Sequence, residues 1–208
     1  MRRTEAEAAV LFLFHTSEEI KKQNQALKPD ARSKFRVRTL AFAAMCLALA
    51  MVLPFFTGQI PQIGQALTPL HIPALLCGFI CGPVWGLIVG FISPLLRSQL
   101  FSMPPLAGAL PMAFEMAAYG LTAGIFYKLL PKKIPYIYVS LVGAMVVGRI
   151  VWGIVKWTVA VVNAGSFGFA AFIAGAVTGS IPGIICHIII IPLIVIALKK
   201  AHLMPEDK

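Results

Sequence analysis

Charged residues are scarce in this sequence. They make up 12% of its 208 residues, and 59% of the residues are hydrophobic. A soluble domain has about 25% charged residues, so too little polar surface is present here to cover a water-soluble core. Acids are the scarcest, because Glu115 is the only Asp or Glu between Asp30 and Glu206. We therefore predict an all-α integral membrane protein that forms one compact bundle.

The sequence also lacks the motifs of common enzymes. It contains no Gly-x-Ser-x-Gly elbow, no His-Glu-x-x-His pair and no phosphate-binding loop. Its four cysteines lie in apolar stretches, and Cys77 and Cys81 have neither the spacing nor the histidine partners of a zinc site. We predict no catalytic residues, no metal, no disulfide framework and no cofactor bound by this chain. Because the chain has no phosphate-binding loop, an ATP-driven function would need partner subunits that are ATPases.

Lysine and arginine are concentrated in three places. The first 38 residues hold nine of the eighteen, three more are Lys128, Lys132 and Lys133, and another three lie at 199, 200 and 208. Cytoplasmic segments of membrane proteins carry this kind of excess. The net charge of +10 therefore indicates a multi-pass protein among membrane lipids, and we predict no nucleic-acid partner.

The apolar stretches predict six membrane spans with both termini in the cytoplasm. Gly82-Pro83 interrupts one long stretch, which is either a single kinked span or two helices that meet at a turn; strong Gly-Pro punctuation favours two. The predicted domains are an N-terminal extension (1–37), a six-span domain (38–200) and a tail (201–208). The spans are 39–56, 72–82, 83–100, 110–130, 136–162 and 170–198.

A polar segment without Lys or Arg, Thr57 to His71, follows the first span. The topology places it outside the membrane, together with the short loop that begins at Asn163. The candidates to bind a polar ligand are Gln59, Gln62, Gln65 and Thr68, and the alternative is a solvated connector.

Ionisable residues within spans are costly and indicate function. At about 1.5 Å per residue, Arg97, Glu115 and Lys156 fall in the outer part of their spans, and Arg149 and His187 fall near mid-depth. We predict that the first three converge on an outward-facing pocket.

Two aromatic residues are the best candidates for walls of that pocket. Trp152 shares a helix face with Arg149 and Lys156, and Tyr119 lies one turn after Glu115. Trp152 and Tyr119 therefore join the predicted binding residues.

The sum of these charges predicts the sign of the ligand. Arg97, Arg149 and Lys156 against Glu115 leave a surplus of two positive charges. A low-dielectric cavity does not hold such a surplus unpaired, and a carboxylate or phosphate ligand would balance it in part. The alternative is internal pairing of Glu115 with Lys156 or Arg149, with Arg97 reaching headgroups and His187 bonded to a carbonyl group.

Three stretches together carry a family resemblance. Ala44 and Ala48 lie one turn apart in the first span, where small residues permit close helix approach. The other two stretches are LTPLHIPALLCGFICGPVWGLIVGFISPLLRS and MPPL followed by MAFEMAAYG. Over residues 35 to 200 the chain resembles the S components, the substrate-binding membrane subunits of energy-coupling factor (ECF) vitamin transporters.

The resemblance implies a six-span protein of the prokaryotic plasma membrane. S components dock onto a coupling transmembrane subunit and two ATPases, and the resemblance assigns Ala44 and Ala48 to that contact. It also implies that the loop after the first span covers the site, and that the subunit topples in the membrane to release substrate. The N-terminal extension departs from the compact family pattern.

Among S components, the chain looks closest to the pantothenate type. The carboxylate of pantothenate suits the positive surplus, and its hydroxyls and amide suit Gln59, Gln62 and Asn163. Folate, pyridoxine and cobalamin are the alternative vitamins. A standalone membrane carrier and a membrane scaffold are the alternatives from other functional classes.

Overall fold

In the described part of the chain, all regular secondary structure is helical. The computed structural model describes residues 31–57, 67–163, 168–176, 178–201 and 204. The packing described here is that of the compact unit that begins at Thr39. The α-helices are α1 (Ala31–Val52), α2 (His71–Cys81), α3 (Pro83–Phe101), α4 (Leu106–Leu129), α5 (Ile134–Val162), α6 (Phe169–Ala176) and α7 (Ile181–Lys200).

Five of the helical stretches are long and apolar enough to cross a membrane. They comprise Val37–Phe56 and the helices α3, α4, α5 and α7, whereas α2 is apolar but has only 11 residues. The predicted all-α bundle is therefore observed. The sixth crossing and the side on which the termini lie stay predictions.

The break at Gly82-Pro83 is confirmed as the boundary between two helices. Gly82 has φ +89°, which side chains other than hydrogen rarely allow. Its N–H makes the last helical hydrogen bond, to the Gly78 carbonyl, and its non-helical backbone then ends α2. Pro83 begins α3, where its missing N–H is not needed.

The prediction of one helix over 170–198 is wrong. The segment divides into α6, a short 3-10 helix (Thr178–Ser180) and α7. Thr, Gly and Ser are weak helix formers, and the Ser180 hydroxyl donates to the Gly175 carbonyl across the break. Pro182 lies in the first turn of α7 rather than inside a continuous helix.

Helix α4 is the most enclosed of the long helices. It packs against α2, α3 and α5, and 56% of its apolar window is buried. Its backbone meets α3 without intervening side chains, because a Cβ at Gly120 would overlap the carbonyl group of Gly86. Gly78, Gly86 and Gly90 also meet the backbone of α4, whereas Gly82, which continues their four-residue spacing, forms the turn instead.

The apolar core surrounds the middle of this bundle. Leu75 of α2, Tyr119 of α4, Leu141 of α5 and Ile191 of α7 belong to one buried cluster. Side chains of four helices thus pack around a common centre. Polar side chains that lie at this centre are buried away from water.

Candidate functional site

Glu115 lies at the centre of a buried polar cluster. Its side chain is 2% exposed. Arg149 Nη1 of α5 lies 2.8 Å from Glu115 Oε1, and Tyr119 Oη donates to the same oxygen over 2.9 Å. Glu115 and Tyr119 are one turn apart on α4, as the sequence predicts for a shared face. The predicted alternative of internal pairing between Glu115 and Arg149 is therefore observed.

The second oxygen of Glu115 faces a histidine. His71 Nε2 lies 3.5 Å from Glu115 Oε2. The His71 ring, 1% exposed, packs edge-on against Tyr119 and lies 6.1 Å from the ring of His187. Within the described residues, neither ring nitrogen of His71 has a hydrogen-bond partner, and the same holds for Arg149 Nε.

His187 connects this group to the chain just before α2. Its Nε2 lies 3.4 Å from the Thr68 hydroxyl and 3.3 Å from the Thr68 carbonyl oxygen. This contact matches the predicted bond between His187 and a carbonyl group. The structure thus brings together residues from α2, α4, α5, α7 and the turn before α2, and we call them the Glu115 cluster: Thr68, His71, Glu115, Tyr119, Arg149 and His187.

A glycine on α5 makes room for the cluster. A Cβ at Gly148 would overlap the Tyr119 ring, so this position admits the phenol between α4 and α5. Arg149 follows Gly148 directly, and its side chain reaches Glu115 beside that ring. The pair Gly148-Arg149 therefore provides both the space and the cation that fix Glu115 and Tyr119.

An apolar cavity of about 360 Å³ adjoins Arg149. Its walls come from α5, α6 and α7, and Arg149 is the only charged residue among the described residues that line it. Arg149 is 14% exposed, so it lies at the boundary between the polar cluster and this cavity. The lining residues are Val142, Met145, Val146, Arg149, Ile150, Phe172, Ala176, Ile184 and Ile188.

Arg97 is buried but makes other contacts. It donates from Nη1 to the Met51 carbonyl in the last turn of α1, and its guanidinium lies 4.9 Å and 5.1 Å from the ring centres of Phe55 and Phe101. At 2% exposure it does not reach towards headgroups. Among the described residues it has no ion pair, so its predicted place at a pocket rim stays a prediction.

Arg97→Ala should lower the free energy of unfolding by about 1.5–3 kcal/mol, because the carbonyl bond of a charged donor and its ring contacts are lost. Arg97→Lys keeps the charge without the planar guanidinium and should recover only part of this loss. Gln99→Ala, an exposed change two residues away, is the control in detergent unfolding curves. Equal stability of the Arg97→Ala and Gln99→Ala proteins would show that the contacts of Arg97 with the end of α1 and with the two rings do not stabilise the fold.

Lys156 and Trp152 contact each other, as their shared face predicts. Lys156 Nζ lies 5.9 Å from the centre of a Trp152 ring, and Trp152 also packs near Phe172 of α6. Lys156 forms no ion pair with Glu115 within the described residues. Asn163 is exposed, and its Nδ2 donates to the Val159 carbonyl at the end of α5.

The remaining predicted residues divide into two groups. Gln59 and Gln62 lie outside the described residues, as does the N-terminal extension as far as Asp30. Ala44 and Ala48 are exposed on α1, whereas Ala43 and Ala50 of the same helix are buried. The small-residue pair is therefore on the outer side of α1.

His71 was not singled out for the polar core by the sequence, and Thr68 was predicted only as a candidate to bind a polar ligand. One indication for His71 was present in the sequence. It is the last polar residue of the segment from Thr57 to His71, and ten apolar or small residues follow it directly. Its partners lie on other helices, so spacing along the chain does not reveal them. Among the described residues, no group of three or more His, Cys, Asp or Glu could hold a metal ion.

Comparison with known proteins gives one family. The family model described as "ECF transporter, substrate-specific component" matches residues 38–195, which is more than half of the chain. The comparisons with curated proteins and with solved structures gave no match.

Proposed function

Because the chain belongs to the family of substrate-specific components of ECF transporters, we propose that it captures an anionic, water-soluble vitamin, with pantothenate as the first candidate. Membership makes it a substrate-binding subunit for vitamin uptake rather than an enzyme, and implies association with the coupling and ATPase subunits. The identity of the vitamin and the residues that bind it are proposed from the charges and contacts of the helices.

One observation carries the choice of an anion. Outside the three basic clusters of the chain, the apolar helices carry three cations, Arg97, Arg149 and Lys156, and one acid, Glu115. Among the described residues, only Arg149 of these three cations is paired with Glu115. The remaining positive charge lies where a low dielectric makes unpaired charge costly. A ligand carboxylate supplies the missing charge, and the cavity beside Arg149 offers space for a small molecule.

The proposed site unites the Glu115 cluster with residues nearer the ends of the helices. Arg149, Tyr119 and Glu115 form its inner part, and Lys156 and Trp152 extend it along α5. The substrate-binding set that we propose is Arg97, Glu115, Lys156, Arg149, Trp152, Tyr119, Gln59, Gln62 and Asn163.

The topology and the partners form the second part of the proposal. We place six crossings between a cytoplasmic extension (1–37) and a cytoplasmic tail (201–208), in a prokaryotic plasma membrane. Ala44 and Ala48 contact the coupling subunit, which their exposure on α1 supports. ATP is hydrolysed by the partner subunits, and this chain binds no cofactor of its own.

Titration calorimetry on the full-length protein tests the substrate. Pantothenate should bind, and Lys156→Gln should weaken binding about 10-fold or more, since a charged hydrogen bond contributes about 1.5–3 kcal/mol. Lys133→Gln, the same change in an exposed loop residue, should bind like the original chain.

Three results would overturn parts of the proposal. Tight binding of folate, pyridoxine or cobalamin without heat from pantothenate would replace the substrate. Uptake into proteoliposomes that lack ATPase subunits would indicate a standalone carrier. Failure to bind any vitamin, with a protein partner that co-purifies, would indicate a scaffold.

A further inference from the structure

Two apolar spaces lie next to each other along α5. The first is the cavity of about 360 Å³ beside Arg149. The second is a groove of about 550 Å³ between α5 and the start of α6, and its walls include Trp157 and Phe169. Ile150 and Phe172 line both spaces, so their side chains form the boundary between the cavity and the groove.

Phe172 is the part of this boundary that α6 contributes. Its ring lies against Gly153 of α5, where a Cβ would overlap the ring, and its centre lies 6.3 Å from the ring centres of Trp152 and of Phe169. The Trp152 ring in turn lies against Gly175 of α6, where a Cβ would overlap it. Each helix thus provides a glycine that admits an aromatic ring of the other helix, and this packing holds the Phe172 ring at the boundary.

Arg149 provides the anchor for an anion in the cavity. Its Nη1 binds Glu115, but its Nε has no hydrogen-bond partner among the described residues. A guanidinium has several N–H donors, so Arg149 keeps donors for a second carboxylate. The rest of such a ligand extends among apolar side chains, and the space available to it towards the groove ends at the Phe172 ring.

We propose that Phe172 sets the upper size of the solutes that occupy the cavity beside Arg149, and so selects a compact carboxylate over a long one. The choice between vitamins rests on the proposed function. Pantothenate is the compact case, and folate, with about twice as many non-hydrogen atoms, exceeds what a cavity near the lower end of the usual range of ligand pockets holds. Folate anchored at Arg149 would have to cross the boundary into the groove, and the Phe172 ring blocks it by steric overlap.

Thiol labelling tests the size limit without a vitamin. Ala176 is buried and lines the cavity, so Ala176→Cys places a thiol there. In the full-length protein, a small water-soluble methanethiosulfonate should label this thiol, and a maleimide that carries fluorescein should not. With Phe172→Ala added, both reagents should label it. The original chain, with its own four cysteines, gives the background.

Titration calorimetry tests the choice between vitamins. The original chain should bind pantothenate, and Phe172→Ala should bind folate at least about 10-fold more tightly than the original chain does, the effect of relieving a poor fit in an apolar pocket. Phe172→Leu removes less volume and should give a smaller gain in the same direction.

Phe169→Ala is the matched control for both experiments. It is the same change on the same helix, at a ring that is 78% exposed. Phe169 lines the groove and is not among the described residues that line the cavity. Phe169→Ala should therefore admit neither the bulky maleimide nor folate.

The two experiments separate this inference from the proposed function. If no vitamin binds but Phe172→Ala admits the bulky maleimide, the size limit stands and the vitamin role falls. If pantothenate binds but Phe172→Ala still excludes the bulky maleimide or folate, the assignment to Phe172 is wrong while the vitamin role stands. Tight binding of folate by the original chain would also overturn the size limit.

Discussion

Glu115→Gln should lower the free energy of unfolding by about 3–5 kcal/mol, the usual cost of removing one partner from a buried ion pair. The change leaves Arg149 without a counterion among buried side chains and replaces an anionic acceptor for Tyr119 by a neutral one. The loss is measured from unfolding curves of the purified protein in detergent.

The double variant Glu115→Gln/Arg149→Gln is the matched control. It removes both charges and keeps side chains of similar size, so it should be more stable than the Glu115→Gln protein. Together with the Arg149→Gln single variant, these measurements complete a double-mutant cycle, which gives the coupling energy of the pair. A loss below about 1 kcal/mol in Glu115→Gln, a value typical of exposed ion pairs, would show that the pair is not buried in the way described.

Gly120→Ala should destabilise the bundle by about 3 kcal/mol, the upper end of the usual cost of overpacking. The added methyl would meet the backbone carbonyl of Gly86 on α3. Backbone atoms cannot turn aside as a flexible side chain does, so α3 and α4 must move apart along their contact. The measurement is the midpoint of unfolding in detergent.

Gly108→Ala is the control for this prediction because it lies on the same helix. A Cβ at Gly108 meets no atom within 4 Å, and alanine favours a helix over glycine by up to about 1 kcal/mol. Gly108→Ala should therefore leave the midpoint unchanged or raise it. Equal effects at the two positions would mean that α3 and α4 are not in backbone contact at Gly120.

Local sequence patterns predicted the helix boundaries well where Gly and Pro restrict the backbone. Gly82-Pro83 ends one helix and begins the next, because both residues restrict the backbone locally. The break at Thr178–Ser180 was missed, since Thr, Gly and Ser disfavour a helix only mildly and the flanking residues are uniformly apolar.

The candidate site was predictable only in part. The contact between Glu115 and Tyr119 follows from their spacing on one helix. An internal ion pair of Glu115 was predicted from the sequence only as an alternative, with Lys156 or Arg149 as its partner. The choice of Arg149 over Lys156 depends on how α5 rotates against α4, which single-chain periodicity does not specify. His71 reaches Glu115 only through the packing of α2 on α4.

The division between α6 and α7 separates two parts of the cavity wall. Phe172 and Ala176 come from α6, whereas Ile184 and Ile188 come from α7, the helix that also carries His187. Substitutions on α6 can enlarge or narrow the cavity while His187 keeps its contact with Thr68. If the proposed ligand occupies this cavity, substitutions in an eight-residue helix would change ligand preference without disturbing the polar centre of the bundle.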